Sequence, residues 1–107
     1  YPEIVLEDDK LVETDKMLNL PINNVAIEHT VSKIDENLII DPILKEEFVQ
    51  DCRLTMAVDR ENNFTAMQKG GGAGPISLEH IEKAMEMALE SAESIRKKID
   101  EAVKAVE

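Results

Sequence analysis

The sequence predicts an α+β domain in which helices cover a mainly antiparallel sheet. Two pairs of short apolar runs are separated by polar turns, which is typical of hairpins. A long helical pattern follows a glycine-rich break near the C-terminus. Because a sheet and a helix must each bury an apolar face, we expect the helices to pack on the sheet. A chain of 107 residues that is 43% apolar is long enough for one such domain.

The N-terminal segment is predicted to form a short hairpin at the edge of the fold. Apolar residues 4–6 and 11–12 flank the polar turn at residues 7–10. A connector follows and ends at Pro21, which favours an extended conformation for Leu20. We therefore treat residues 1–20 as a hairpin and connector and residues 21–107 as the domain.

A second hairpin and a short helix are predicted next. Residues 25–32 alternate between apolar and polar, which is strand periodicity, and residues 35–37 form a turn. The apolar run at residues 38–40 returns as a strand that we expect to be buried on both faces. Asp41 followed by Pro42 is typical of a helix start, and this helix should run to about residue 49.

The last hairpin precedes the longest helix. Residues 54–58 alternate, residues 59–63 form a turn, and residues 64–68 return before the glycine-rich segment. Ser77 is predicted to cap the final helix. Its apolar positions recur every three or four residues: Leu78, Ile81, Met85, Ala88, Ala92, Ile95, Ile99, Ala102 and Val106. At 1.5 Å per residue this helix is about 40 Å long, so its last turns should project from the sheet or pack on a partner.

The charge of the chain limits its partners. The formal net charge is −11, so the domain alone should repel RNA and DNA, although the same acidity also serves solubility. No run of about 20 apolar residues and no signal segment is present, which argues against a membrane partner. A single cysteine excludes an internal disulfide and favours a cytoplasmic protein. The absence of an initiator Met before Tyr1 suggests a fragment or a processed product.

Few residues suggest chemistry of their own. The glycine loop at residues 70–74 could cradle a phosphate, but it lacks the Lys-Ser or Lys-Thr ending of a nucleotide-binding loop, so a flexible connection is favoured. His29 is expected to be a hydrogen-bonded core residue, and His80 an exposed one. Cys52 has no neighbouring base that would make it a nucleophile.

The acidic cluster Glu46, Glu47 and Asp51 could bind a cation, but solvated carboxylates are the commoner case. Met85 is assigned to the core and Met87 to the surface. No cofactor and no metal site is predicted.

Several segments, in order, resemble the second domain of the ribonuclease PH family. They are Leu20-Pro21, Val25-Ala26-Ile27, Leu38-Ile39-Ile40-Asp41-Pro42, Glu46-Glu47, Asp51-Cys52-Arg53-Leu54-Thr55 and Ala66-Met67-Gln68-Lys69-Gly70-Gly71. Within that family the chain is most similar to the non-catalytic ribonuclease-PH-like ring subunit of the archaeal exosome. The Ile-Asp-Pro step and the Asp-x-Arg-Leu-Thr strand are the most specific pieces.

The resemblance implies that this chain has no catalytic residue. Family members that cut RNA open the third strand of this domain with an acid-x-Asp pair, whose Asp supports attack by inorganic phosphate. Here Asp51 occupies the first position and Arg53 the second. A guanidinium stays protonated and only donates hydrogen bonds, so it can neither act as a base nor hold Mg²⁺.

The resemblance also implies an assembly. It predicts a hexameric ring, a trimer of heterodimers with a catalytic 3'-5' exoribonuclease subunit, to which RNA-binding cap proteins attach. RNA would be bound only through that assembly, and residues 1–20 would come from a missing first domain. The candidate partner-facing residues are Asp51, Arg53, Thr55, Gln68 and Lys69, and the apolar stripe of the final helix is a second candidate contact.

Two other functions remain open at this stage. An active exoribonuclease of the same family would be favoured by an acid at position 53, which is absent. A stand-alone interaction module would pair with a partner through the long helix.

Overall fold

The computed structural model describes residues 1–106, so Glu107, the last residue of the predicted domain, lies outside the described residues. Its elements in chain order are β1 (Pro2–Glu7), β2 (Lys10–Met17), β3 (Ile27–Ile34), β4 (Asn37–Ile40), α1 (Leu44–Val49), β5 (Cys52–Val58), β6 (Phe64–Gly70) and α2 (Leu78–Lys104). A four-stranded antiparallel sheet has the order β4-β3-β5-β6, and β1 and β2 form a separate two-stranded sheet. The predicted α+β class is confirmed. No helix in this part of the chain is both long and apolar enough to cross a membrane.

The core lies between one face of the four-stranded sheet and α2. Alternation along β5 points Cys52, Leu54, Met56 and Val58 toward the helix, and all four are buried. The helix presents small residues to them, since Ala84, Ala88 and Ala92 are its buried positions. Alanine has no side chain beyond Cβ, which allows α2 to lie close to the sheet.

The predicted apolar stripe of α2 is only partly correct. Ala88 and Ala92 are buried as expected, but Ala84, which the stripe omits, is buried as well. The stripe residues that are exposed are Leu78, Ile95, Ile99, Ala102 and Val106. Met85 and Met87 both pack partly buried against the core, so the assignment of Met87 to the surface is wrong.

The predicted start of α1 is wrong by two residues. Asp41 has a φ of 57°, so it ends β4 instead of capping a helix. The helix begins at Leu44, and the Glu46 carboxylate accepts a hydrogen bond of 2.8 Å from the backbone N–H of Ile43. Ser77 does cap α2, because its hydroxyl accepts a bond of 3.2 Å from the N–H of His80.

Two further strand predictions need correction. β3 begins at Ile27, because the connector continues beyond Pro21 to residue 26 and includes Val25, whose carbonyl accepts a hydrogen bond from Arg96. β4 is half-buried and not buried on both faces, since it is the edge strand of the sheet. The N-terminal hairpin forms as predicted, and β1 and β2 contact each other but no other element among residues 1–106.

Candidate partner interface on the open face of the sheet

The sheet face that points away from α2, here called the open face, carries a group of residues most of which are polar. Strand alternation and register place its members opposite one another: Glu28, Thr30, Ser32, Arg53, Thr55, Ala57, Ala66, Gln68 and Gly70. α1 and the residue after it cover only one end, where the Ser32 hydroxyl donates a 2.9 Å hydrogen bond to the Gln50 side-chain oxygen. The rest of the open face is available to a partner.

Arg53 lies at the start of β5 on this open face. It is exposed, and its cross-strand partner is Gly70, which has no side chain to compete for the space. The stem of Arg53 packs over the glycines, because a Cβ on Gly71 would lie 3.3 Å from the Arg53 Cγ. Within residues 1–106 the guanidinium makes no ion pair, so its five donors can meet an acidic group outside the chain.

A hydrogen-bonded pair of threonines lies next to Arg53. The Thr30 and Thr55 hydroxyl oxygens are 2.9 Å apart across β3 and β5. Gln68 pairs with Thr55 from β6 and is exposed. Arg53, Thr55 and Gln68 therefore share one surface, as the sequence predicted.

The other two candidate residues do not join them. The Asp51 carboxylate accepts a hydrogen bond of 2.8 Å from the N–H of Asp35 and lies 3.3 Å from the Lys33 ammonium. It therefore stabilises the β3–β4 turn of its own chain. Lys69 pairs with Leu54, so its side chain points to the face that α2 partly covers. The prediction that Lys69 lies on the same face as Arg53 is wrong, because successive residues of a strand point to opposite faces.

The glycine loop is explained by close packing against Asp51. The Asp51 carbonyl accepts a hydrogen bond of 2.9 Å from the N–H of Gly74. Gly72 has a φ of 61°, and a Cβ there would lie 2.0 Å from that carbonyl oxygen. The loop therefore holds the start of β5 in place. It is neither a phosphate cradle nor a flexible connection.

The two histidines differ from expectation. His29 is buried, 4% exposed, but its Nε2 has no hydrogen-bond partner among the described residues. Burial, followed by the positive charge of Arg96, lowers the pKa of His29 below its ordinary value. His80 is not exposed, because its Nδ1 lies 2.7 Å from the Ser77 hydroxyl and its Nε2 lies 3.4 Å from the Glu36 carboxylate.

The remaining candidate groups show no reactive arrangement. Cys52 is fully buried, and the one polar contact of its thiol among residues 1–106 is the Pro75 carbonyl at 3.8 Å. Glu46 is engaged at the start of α1, and Asp51 at the β3–β4 turn. In the part of the chain that the structure describes, no three acidic, cysteine or histidine side chains are placed to hold a metal ion.

Sequence reasoning missed a groove that runs along the open face and around the outer edge of β3. It has a volume of about 620 Å³ and reaches from Gln68 to Ser91 and Ile95 on α2. The sequence contained an indication of it. The alternating run before the β3–β4 turn, residues 25–32, is longer than the apolar run after it, residues 38–40, which Asp41-Pro42 follows.

Comparisons with known proteins give one consistent family. Residues 24–91 match the family model described as 3' exoribonuclease family, domain 2. The chain is 39% identical over 97 residues to "Exosome complex component Rrp42" of Thermococcus gammatolerans, a match that covers 91% of this chain and 35% of that protein. It is 44% identical over 85 residues to the protein of the same name from Pyrococcus horikoshii, covering 79% of this chain and 31% of that protein.

Solved structures agree with the sequence relatives. A chain of an Archaeoglobus fulgidus exosome with RNA bound to the active site superposes with a TM-score of 0.67 and 25% identity, covering 75% of this chain and 31% of that chain. A chain of an archaeal exosome core superposes with a TM-score of 0.68 and 25% identity, covering 76% of this chain and 32% of that one. The present chain thus spans about a third of the length of the proteins it matches.

Proposed function

This chain belongs to the 3' exoribonuclease family, whose domain 2 it matches, and from that premise we propose that it is the second domain of a non-catalytic exosome subunit. In this proposal the subunit completes a ring with a catalytic, phosphorolytic 3'-5' exoribonuclease partner and does not cleave RNA itself. The resemblance to the ribonuclease PH family and the Rrp42 relatives support the assignment.

Arg53 is the observation that carries the proposal. It stands at the start of β5, where the resemblance places the Asp of members that cut RNA. Its guanidinium is a permanent cation, so it repels Mg²⁺ and cannot accept a proton at neutral pH. The other acid of the pair, Asp51, is engaged by the Asp35 N–H and by Lys33. No free carboxylate pair therefore remains at this strand end.

The open face supports a role in assembly. Arg53 and Gln68 are exposed there, next to the Thr30–Thr55 pair. Arg53 has no ion-pair partner among the described residues. A partner carboxylate that met Arg53 in a desolvated interface would bind it through charge-assisted hydrogen bonds. We propose that Arg53, Thr55 and Gln68 face the catalytic subunit.

Residues 1–20 support the presence of a further domain. The β1–β2 hairpin contacts no other element of the described chain and exposes Ile4, Leu6 and Leu11. An isolated two-stranded ribbon is at best marginally stable in water. We propose that this hairpin and its connector pack with a first domain, while residues 21–107 form domain 2.

The charge of the chain supports indirect contact with RNA. With 23 acidic and 12 basic residues, the domain repels a phosphate backbone. In the proposed trimer of heterodimers, RNA is held by the catalytic partner and by cap proteins. A cytoplasmic assembly agrees with a single buried thiol.

The first test is RNA decay by the isolated chain. We expect no release of nucleoside diphosphates from single-stranded RNA in the presence of phosphate and Mg²⁺. Arg53→Asp should not restore it, because Asp51 remains engaged within the chain. Phosphate-dependent release by the unmodified chain would instead favour the alternative of an active exoribonuclease.

The second test uses the full-length subunit reconstituted with a catalytic partner. Arg53→Glu should impair ring assembly or RNA decay, since reversing a charge in a partly buried interface costs several kcal/mol, on the order of 2–5. Lys83→Glu is the control, because Lys83 is exposed on α2 and distant in sequence from the open face. Unchanged assembly and unchanged decay with Arg53→Glu would remove Arg53 from the interface.

The exposed end of α2 keeps a stand-alone interaction module as the second candidate. Ile95, Ile99 and Val103 form an exposed apolar stripe beyond the last buried alanine. Sedimentation of the isolated chain distinguishes the two, since a discrete self-association that Ile99→Glu abolishes would favour the module. A monomer would favour the exosome subunit.

A further inference from the structure

The sheet contains a gap along the outer edge of β3. β3 has eight residues, but β4 pairs only with its second half, from Val31 to Ile34. The outer edge of residues 27–30 therefore has no strand beside it in the described chain. The gap is built in, because Asp41 turns the backbone away at a φ of 57° and Pro42 has no N–H to donate to a ladder.

The gap opens into the groove of about 620 Å³, which has walls on both sides of the sheet. Ser91 and Ile95 of α2 form one wall, and Glu47 and Gln50 line the other. An extended chain lying beside residues 27–30 would point alternate side chains toward these two walls. Its backbone would meet the unpaired N–H and C=O groups of the edge.

His29 gives an independent indication that something binds there. Its imidazole is on the α2 side of the sheet and lines the groove, and its buried Nε2 has no hydrogen-bond partner among residues 1–106. A buried polar atom without a partner is rare, because it has lost its hydrogen bonds to water and gained none in return. A short hydroxyl side chain on an added strand could supply the missing bond.

The charges around the groove indicate which kind of chain fits. Glu28, Asp41 and Glu47 contribute three carboxylates, and Arg53 contributes one guanidinium. The lining is therefore net negative, as the whole chain is. A basic segment is electrostatically complementary, whereas an acidic segment is repelled.

We infer that the outer edge of β3 at residues 27–30 accepts an extended, basic segment of a protein partner as an added strand. Lysine or arginine side chains of that segment lie over Glu28 and Glu47, and small hydroxyl side chains point toward His29. Strand addition of this type obtains affinity from main-chain hydrogen bonds and specificity from alternate side chains. The groove reaches Arg53, Thr55 and Gln68 at one end, but the inference rests on the edge at residues 27–30 and does not depend on the exosome assignment.

The test is an NMR titration of the ¹⁵N-labelled chain with a capped octapeptide of alternating Lys and Thr. We expect saturable shifts of the backbone amides of residues 27–30 and of the His29 ring nitrogens. A Glu-Thr octapeptide should bind at least about tenfold weaker, the equivalent of about 1.4 kcal/mol. A Lys-Thr octapeptide N-methylated at every residue keeps the charge but has no backbone N–H to donate to the edge of β3, and it should also lose binding.

Variants locate the site on the protein. Glu28→Lys should weaken Lys-Thr binding at least about tenfold, whereas Glu86→Lys, an exposed position on α2, should leave it unchanged. Equal binding of the N-methylated peptide, equal effects of the two variants, or shifts spread over the acidic surface without residues 27–30 would each overturn the inference. Absence of any shift at millimolar peptide would overturn it as well.

Discussion

Among the four glycines, Gly72 is the one at which an added Cβ would make the closest contact. It lies where the loop after β6 crosses the backbone of Asp51, with a φ of 61°. A Cβ at this position would stand 2.0 Å from the Asp51 carbonyl oxygen and 2.6 Å from its carbon. Both the dihedral angle and the space therefore require glycine.

We predict that Gly72→Ala lowers the free energy of unfolding by at least about 2 kcal/mol, because strain and displacement of the Asp51 backbone add together. Gly70→Ala is the matched control. Its Cβ would lie 3.6 Å from the Arg53 Nε, an ordinary contact, and we expect a change of less than about 1 kcal/mol. Urea unfolding of both variants measures the difference, and equal stabilities would contradict the close packing of the loop.

At the scale of elements, the two halves of α2 differ in burial. Its first half lies on the sheet through the buried residues Ala84, Ala88 and Ala92. Its second half, after Ala92, has no buried residue and exposes Ile99 and Val103. One continuous helix thus provides both the core of the domain and an apolar surface.

A larger side chain should destabilise the first half of α2 and leave the second half almost unaffected. We predict that Ala88→Leu lowers the free energy of unfolding by about 1–3 kcal/mol, because Ala88 is fully buried and the added atoms have no space. Ala102→Leu, at an exposed position of the same helix, should change it by less than about 0.5 kcal/mol. If thermal and urea unfolding tolerated Leu at position 88, α2 would not lie as close to the sheet as described.

At the scale of the molecule, the connector links two independent parts. Arg96 donates to the Val25 carbonyl at 3.1 Å and to the Val58 carbonyl at 2.9 Å. The Asn24 amide donates to Asp59 at 3.1 Å. These bonds fix the end of the connector to the domain, whereas the hairpin before it has no contact of this kind.

Removal of residues 1–17 should therefore change the unfolding free energy of the remaining chain by less than about 0.5 kcal/mol. Removal of residues 1–26 should cost at least about 1 kcal/mol more, since the bonds from Asn24 and Val25 are lost. Calorimetry on the two truncations measures this. A large loss on removing only residues 1–17 would show that the hairpin belongs to the same cooperative unit.

The net negative charge is also a property of the whole molecule, and it determines how the isolated chain meets RNA. We predict that the isolated chain binds single-stranded RNA more weakly than about 100 μM at physiological salt, because ordinary non-specific binding needs clustered cations. The net charge of −11 opposes it. A micromolar, salt-sensitive fluorescence titration would contradict the idea that this domain meets RNA only through its assembly.

Periodicity within the sequence determined most of the fold. Strand alternation, turn composition and the cap at Ser77 are local properties, so the order of strands and helices and the α+β class could be predicted without a structure. The pairing of β5 with β6 was also predictable, because both strands of that hairpin were recognised, but a register shift between Ala57 and Val58 is what puts Gln68 opposite Thr55. The family followed from the motifs that lie on these same strands.

Only the tertiary structure decided where individual side chains point and what they contact. Gln68 and Lys69 are consecutive in β6 and point to opposite faces, and the pairing with β5 decides that Gln68 is the one on the face of Arg53 and Thr55. Asp51 is held by Lys33 and the Asp35 N–H, and Gly72 by the Asp51 backbone, through contacts between residues distant in the sequence. The groove at the edge of β3 likewise exists because β4 ends early and α2 passes nearby. Such contacts depend on strand register and on the distance between layers, which no local pattern in the sequence specifies.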